Sequence, residues 1–439
     1  MNGRRLASFA LVIGAVTSLA SPAAAVPDPA ANLQWNMALV GAPSAWPTST
    51  GAGVTVAVVD TGIDLNHEDL PSARLVVLPG ANFIDPTKPP QDDQGHGTHV
   101  AGIIGAESNN GRGVESVAPG AKLMPVKVLD DTGHSNANSV ENGIRFAADH
   151  GARVINVSIG VDLVQPVTGP GFEGAIEYAW SKGAVPVVAA GNNYNGGIFG
   201  SGYSPETHAI VVAATDRHDA PATYSSGSNG ARWGMAAPGG ADPNFAAEKD
   251  LILSTYWVKG KTNQYAYDAG TSMAAPHVAG AIADLLALGF TPQQAVDRVL
   301  ATAKKGMPPS LGAGRLDVAT AVGTRPGGAP VKGPVGGGSA ASAGSAGSAA
   351  PSASPSGAAK AGSATATGAP ASVASGAAGQ AAPVSPGATG PAPAVAAPAA
   401  RQPATVPASD KKKRDALPIV VAALLLVGVA SLVVVRRRT

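Results

Sequence analysis

Five short runs rich in Val, Ile and Ala, at 54–59, 122–129, 153–159, 185–190 and 210–215, are largely apolar rather than alternating. Helix-like stretches at 98–106, 136–149, 171–182 and 272–288 are interspersed with them. A strand with one wet face alternates apolar and polar residues, whereas a continuously apolar run has to be covered on both faces. Strand–helix–strand order built from such runs predicts an α/β fold: a mostly parallel sheet covered by helices on both faces. Ligands of such sheets bind beyond the carboxyl ends of the strands. The polar residues that follow each run are therefore the ones to read for chemistry.

The rest of the chain confines this fold to residues 26–324. Residues 325–410 contain no Phe, Trp, Tyr, Leu, Ile or Met and are almost wholly Ala, Gly, Pro, Ser, Thr and Val. They cannot bury enough apolar area to offset the entropy of ordering, so a disordered stalk is expected. Its ends would lie about 50 Å apart as a coil and about 270 Å apart when extended. Arg4 and Arg5 precede an apolar run reaching Leu19, and Ala23, Ala24 and Ala25 follow. That pattern predicts a signal peptide, residues 1–25, removed after Ala25.

Residues 416–435 carry no charge, and as a helix they would span about 30 Å, the thickness of a hydrocarbon core. Lys411, Lys412, Lys413 and Arg414 flank them on one side, and Arg436, Arg437 and Arg438 on the other. Residues 411–439 thus read as a single-pass anchor with a short cytoplasmic tail. The exported signal sets the orientation, which places the folded domain outside the membrane. A stalk of this reach suits the thick wall of a Gram-positive cell.

Charge and composition remove several classes of function. Residues 26–324 hold 17 Lys and Arg against 27 Asp and Glu. So acidic a domain is no nucleic-acid binder, because counterion release needs a basic face. The absence of cysteine excludes a disulfide scaffold, a thiolate metal site and a cysteine nucleophile.

Four polar residues stand at strand ends or helix starts. Asp60 closes the first run in Val58-Val59-Asp60-Thr61-Gly62, and His96 lies between Gly95 and Gly97 ahead of a helix. Asn192 follows the fourth run in Ala189-Ala190-Gly191-Asn192. Ser272 opens a helix in Gly270-Thr271-Ser272-Met273-Ala274-Ala275-Pro276. Acyl transfer by a serine needs a base for its proton, a carboxylate to orient that base, and donors for the oxyanion. The chain offers a candidate for each. Spacing alone leaves His96 and His99 both open as the base. His277 reads as a core histidine, and Asp64 as a loop hydrogen-bonding residue. His67, His134, His150, His208 and His218 read as surface or structural. A zinc site is disfavoured: His96 and His99 are three apart with Gly97 and Thr98 between them, not four apart with a glutamate.

These segments resemble the subtilases, the subtilisin-like serine peptidases. The resemblance rests on the motifs at Asp60, His96, Asn192 and Ser272, in the chain order Asp, His, Ser, and covers nearly all of residues 31–322. It implies a three-layer subtilisin-like fold and a serine endopeptidase acting on polypeptides. Asp60, His96 and Ser272 would be catalytic, Asn192 an oxyanion donor, and no cofactor would be needed for catalysis. Ser158, Ile159 and Gly160 resemble the edge that pairs with an extended peptide substrate. Val161 stands where the family often has a second glycine. Asp69 and Asn110 resemble part of a family calcium site, and a structural calcium ion is left open.

The chain also departs from the family's usual plan. Only residues 26–46 lie between the signal and the domain's own opening, which leaves no room for a folding prodomain. The order of signal, peptidase domain, stalk and membrane helix resembles the mycosins, the anchored subtilases associated with type VII secretion. A secretion system is accordingly an expected partner. The alternatives are a general cell-surface protease and a catalytically silent peptide-binding module.

Overall fold

The computed structural model describes residues 26–323 apart from 136–137, 160–169 and 194–202. Six parallel strands form the central sheet: β1 (Thr55–Asp60), β2 (Lys122–Lys127), β3 (Val154–Val157), β4 (Val185–Ala189), β5 (Ile210–Thr215) and β6 (Trp233–Pro238). A separate antiparallel hairpin pairs β7 (Ile252–Tyr256) with β8 (Gln264–Asp268). The helices are α1 (Trp35–Val40), α2 (Ala42–Ala45), α3 (His96–Gly105), α4 (Ser139–Asp149), α5 (Pro170–Ser181), α6 (Thr271–Ala287), α7 (Pro292–Thr302) and α8 (Val318–Val322).

The continuous apolar runs divide between two cores with the two-residue period of a strand. On β1, Val56 and Val58 face one cluster, while Ala57 and Val59 face the other. On β4, Val185, Val187 and Ala189 face the first and Val188 the second. Helices α1, α2, α3, α6, α7 and α8 close the first core, and α4 and α5 close the second. This is the expected α/β arrangement of a mostly parallel sheet between two helical layers. Residues 26–46 belong to it, because Met37 and Val40 of α1 and Ala42 and Ala45 of α2 are buried in the first core.

Strand order is β2-β1-β3-β4-β5-β6. From β1 the chain moves outward to β2, then returns past β1 to add β3 through β6 on the other side. The order therefore reverses between β1 and β3, the position at which an open α/β sheet forms its ligand crevice. Asp60 ends β1, and Ser158 and Asn192 follow β3 and β4, so all three stand along that rim.

The boundaries differ from the sequence reading where side chains intervene. β2 stops at Lys127 rather than 129, because the Lys127 ammonium turns inward to the carbonyls of Thr61 and Leu129. α3 begins at His96, two residues earlier than expected, which places the imidazole on the first turn. β6, the hairpin, α1 and α7 were not read from the sequence. α7 did carry a signal: Thr291 and Gln294 form a capping box with Pro292 at the first helical position. No helix among the described residues is long and apolar enough to cross a membrane. The expected signal (1–25), stalk (325–410) and anchor (411–439) lie outside the described residues.

α3 runs against β7 with almost no clearance. Ser254 and Thr255 donate their hydroxyls to the carbonyls of His99 (2.8 Å) and Thr98 (2.7 Å), and a methyl group on Gly102 would collide with both hydroxyl oxygens. Gly102→Ala should thus lower stability by about 1–3 kcal/mol through overpacking. Thermal denaturation would register this as a reduced Tm, and an unchanged Tm would contradict the close approach.

Candidate active site

The rim above β1 and β3 is assembled from two clusters. In the first, Asp60 ends a fully covered strand, and its carboxyl is inaccessible to solvent. A buried carboxylate requires donors. It receives the Thr61 N–H at 2.8 Å and the His96 Nδ1–H at 2.8 Å, both at Oδ1. With Nδ1 committed as donor, Nε2 is the basic nitrogen of His96, and the imidazole remains 23% exposed. Close approach of α3 to the loop after β1 depends on Gly97. A Cβ there would strike the Gly62 carbonyl oxygen, and the Gly97 N–H donates to Thr61 Oγ1 at 2.9 Å.

Ser158, Asn192, Thr271 and Ser272 make the second cluster. Asn192 Oδ1 accepts the Thr271 N–H (3.0 Å) and hydroxyl (3.1 Å), so its amide orientation is set with Nδ2 as the donor end. Thr271 Oγ1 in turn accepts the Gly191 N–H at 3.1 Å. Ser158 and Ser272 are bonded reciprocally: the Ser272 hydroxyl donates to the Ser158 carbonyl at 3.0 Å, and the Ser158 hydroxyl to the Ser272 carbonyl at 2.9 Å. The second bond has a covalent origin. The helical partner of the Ser272 carbonyl would be the N–H of residue 276, which is proline and has none. Asn156 Nδ2 donates to Ser158 Oγ at 2.9 Å and steadies the arrangement.

Strand register places the two clusters side by side. Val59 pairs with Val157, the last pair of the β1–β3 ladder, and Asp60 and Ser158 are the residues that follow on each strand. Helices α3 and α6, which carry His96 and Ser272, also pack against each other. Asp60 and His96 are therefore in direct contact, and Ser272 and Asn192 sit at the adjoining strand ends. Ser272 does not hydrogen-bond His96 in this structure. Its hydroxyl rests on the Ser158 carbonyl. Ile159 is buried, and Gly160 lies outside the described residues.

The remaining histidines separate cleanly. His99 is fully buried with Nε2 against the carbonyls of Ile252 (3.2 Å) and Ala266 (3.1 Å), a tie between α3 and the hairpin. His277 is fully buried, with Nδ1 on the Met273 carbonyl and Nε2 against Asn36, as expected of a core histidine. Asp64 accepts the Asn66 N–H within its own loop. Asp69 and Asn110 do meet, but not as a cation site. Asn110 presents its Nδ2 donor to Asp69 Oδ1 at 3.0 Å, and Oδ2 accepts the Val114 N–H and the Tyr265 hydroxyl. Burial pushes the Asp69 carboxyl up to about 7. This donor-rich arrangement does not fit calcium, which needs converging oxygens. Among the described residues no group of three or more His, Cys, Asp or Glu could hold a metal ion.

Residues 51–323 match the Subtilase family (peptidase S8), more than half of the chain. The chain belongs to the subtilase family. It is 41% identical to thermitase of Thermoactinomyces vulgaris over 254 residues, covering 58% of this chain and 82% of the relative. Subtilisin Savinase of Lederbergia lenta is 40% identical over 255 residues, covering 58% of this chain and 84% of the relative. A solved protease of Pseudoalteromonas arctica superposes with a TM-score of 0.59 at 32% identity, covering 68% of this chain and 98% of that one. The chain is thus a subtilisin-like serine endopeptidase, with no cofactor required for catalysis, and polypeptides are its substrates.

Two residues of this subtilase's rim escaped the sequence reading. Asp92 and Lys127 are buried charges placed directly behind Asp60 and His96. Their only signals were an aspartate four residues before His96 and a lysine inside an otherwise apolar run.

His96 has an electrostatic setting with a measurable result. Burial alone would depress its basicity. The adjacent Asp60 charge and hydrogen bond, with Asp268 and Asp92 behind, overcome that and raise the imidazole to about 9. An imidazole serving as base must be neutral, so a mechanism that uses His96 as base predicts kcat/KM climbing with pH through an acid-side midpoint of about 9. The same shift adds stability that is complete below the unfolded value of 6.5 and lost as pH rises through about 9. A kcat/KM that is flat from neutral to alkaline pH would contradict this charge arrangement.

Proposed function

We propose that this subtilase cleaves peptide bonds through Asp60, His96 and Ser272, with Asn192 as oxyanion donor, and does so at the cell surface on a membrane tether. The bond from His96 Nδ1 to the buried Asp60 carboxylate, 2.8 Å long, carries the reading. It orients the imidazole and leaves Nε2 as proton acceptor. In the reaction the Ser272 hydroxyl leaves the Ser158 carbonyl by rotation about χ1 and gives its proton to His96 Nε2 as Oγ attacks the scissile carbonyl. The carbonyl electron pair moves onto oxygen, which Asn192 Nδ2 and the Ser272 backbone N–H receive. That N–H lies in the first turn of α6, where a helix supplies no internal acceptor. Collapse expels the amine with the proton from His96 and leaves an acyl-serine. Water, deprotonated by the same imidazole, then releases the acid.

Ser158, Ile159 and Gly160 would bind the substrate chain as an added strand. Support for the tether is the uncharged stretch 416–435 between two basic flanks, and support for export is the N-terminal pattern ending near Ala25. The order of segments resembles the mycosins, so we assign it a processing role beside a type VII secretion system of a Gram-positive cell.

Wild-type protein should label with a fluorophosphonate probe, and Ser272→Ala should not; a normally labelled mutant would overturn the nucleophile. Asn192→Ala should lower kcat about 10²–10³-fold with KM little changed. Chain truncated after residue 410 should appear in the medium, whereas the full chain should fractionate with membranes. Surface proteomics of wild type against Ser272→Ala should show few processed proteins, and broad loss of cleavage would indicate a general protease instead.

A further inference from the structure

Beyond Asp60 at the end of β1, the chain pairs with the segment ahead of α3 through an isolated parallel bridge between Ile63 and Gln91. Nearer to His96, side chains make the connection, and one buried carboxylate bonds both sides. Asp92 is completely inaccessible to solvent. Its Oδ1 accepts the Thr61 hydroxyl (2.9 Å) and the N–H groups of Gln94 (3.0 Å) and Gly95 (3.0 Å). Its Oδ2 accepts the Thr98 N–H (2.9 Å) and hydroxyl (2.5 Å). Five donors use all the acceptor capacity of an ionised carboxylate.

Thr61 completes the circuit. Its N–H donates to Asp60 Oδ1 at 2.8 Å, and its Oγ1 accepts the Gly97 N–H at 2.9 Å. From behind, Lys127 Nζ donates to the Thr61 carbonyl (2.7 Å) and reaches Asp93 Oδ1 (2.6 Å). Thr61 is thereby held at its N–H, hydroxyl and carbonyl. An aspartate ahead of a helix ordinarily caps it, which accounts for the Thr98 N–H. Capping does not account for the Thr61 hydroxyl, which belongs to the strand end.

We propose that Asp92, acting through Thr61, is the positioning residue that sets where the His96 imidazole stands relative to Asp60. This rests on reading His96 as the general base and Asp60 as its orienting carboxylate. Asp92 touches neither substrate nor reacting atoms. Its effect is on distance and angle, and a misplacement of 1 Å at a catalytic group costs about 10²-fold in rate. The charges facing His96 are Asp60 from β1, Asp92 from the turn, Asp268 from β8 and, when protonated, His99 from its own helix.

Kinetics of the full-length protein on a chromogenic peptide test the assignment, using Asp92→Asn, Thr61→Val and Thr61→Ser. Thr61→Val keeps the side-chain volume but removes the hydroxyl, and kcat should fall about 10- to 100-fold with KM within about twofold. Thr61→Ser should restore most of that loss. Asp92→Asn should lower kcat comparably and move the acid-side midpoint to lower pH, since a negative charge near the imidazolium is removed. Folded Thr61→Val and Asp92→Asn proteins with wild-type kcat and midpoint would overturn the proposal and leave Asp92 a helix cap. If Asp92→Asn does not fold, the contrast between Thr61→Val and Thr61→Ser decides alone. Ser272→Ala, measured in parallel, separates the two readings: retained activity there would remove the triad itself.

Discussion

A carboxylate at the end of a fully covered strand is the constraint around which this domain is organised. Every residue of β1 from Val56 to Asp60 is buried, so Asp60 cannot obtain its hydrogen bonds from water. An isolated buried charge costs several kcal/mol, and the fold must therefore bring donors to it. Thr61 supplies one from the adjacent peptide, and His96 supplies the other from a helix that has to be delivered close by. The glycine beside that histidine, the turn of residues 92–95 and the buried Lys127 all serve this delivery. The same contact orients the imidazole and leaves its other nitrogen as acceptor, so the requirement that stabilises Asp60 also supplies the proposed catalytic base.

The sheet explains why so much of this was legible in the chain. A strand covered on both faces has no polar residues to spare, and its first polar residue marks the rim. Asp60 and Asn192 were visible for that reason, and His96 and Ser272 because a helix start leaves its first N–H groups open. The first five strands of the sheet were legible because each is mostly apolar and carries at least one β-branched residue. β6, Trp-Gly-Met-Ala-Ala-Pro, carries none. The hairpin β7–β8 mixes Ser, Thr, Tyr, Gln and Asp among its apolar residues, and its role is to clasp α3 rather than to extend the sheet.

Interactions that depend on meeting across the fold were not legible. Asp92 looks like any surface aspartate in Gln91-Asp92-Asp93-Gln94, and only the structure shows that one of the two adjacent carboxylates turns inward and the other toward Lys127. Asp69 and Asn110 show the same limit from the other side. Their types suggest a cation site, yet the amide presents nitrogen rather than oxygen to the carboxylate. Residue type limits what a group can bond, but donor orientation decides what it does bond.

The proline in α6 has a mechanical consequence. Because residue 276 has no N–H, the backbone of Ser272 is fastened to Ser158 at the end of β3 instead of to its own helix. The proposed nucleophile thereby moves as part of the wall proposed to grip the incoming chain. On the proposed assignment, specificity and reactivity are then not independent dials: re-engineering the grip at Ser158 also shifts the Ser272 hydroxyl.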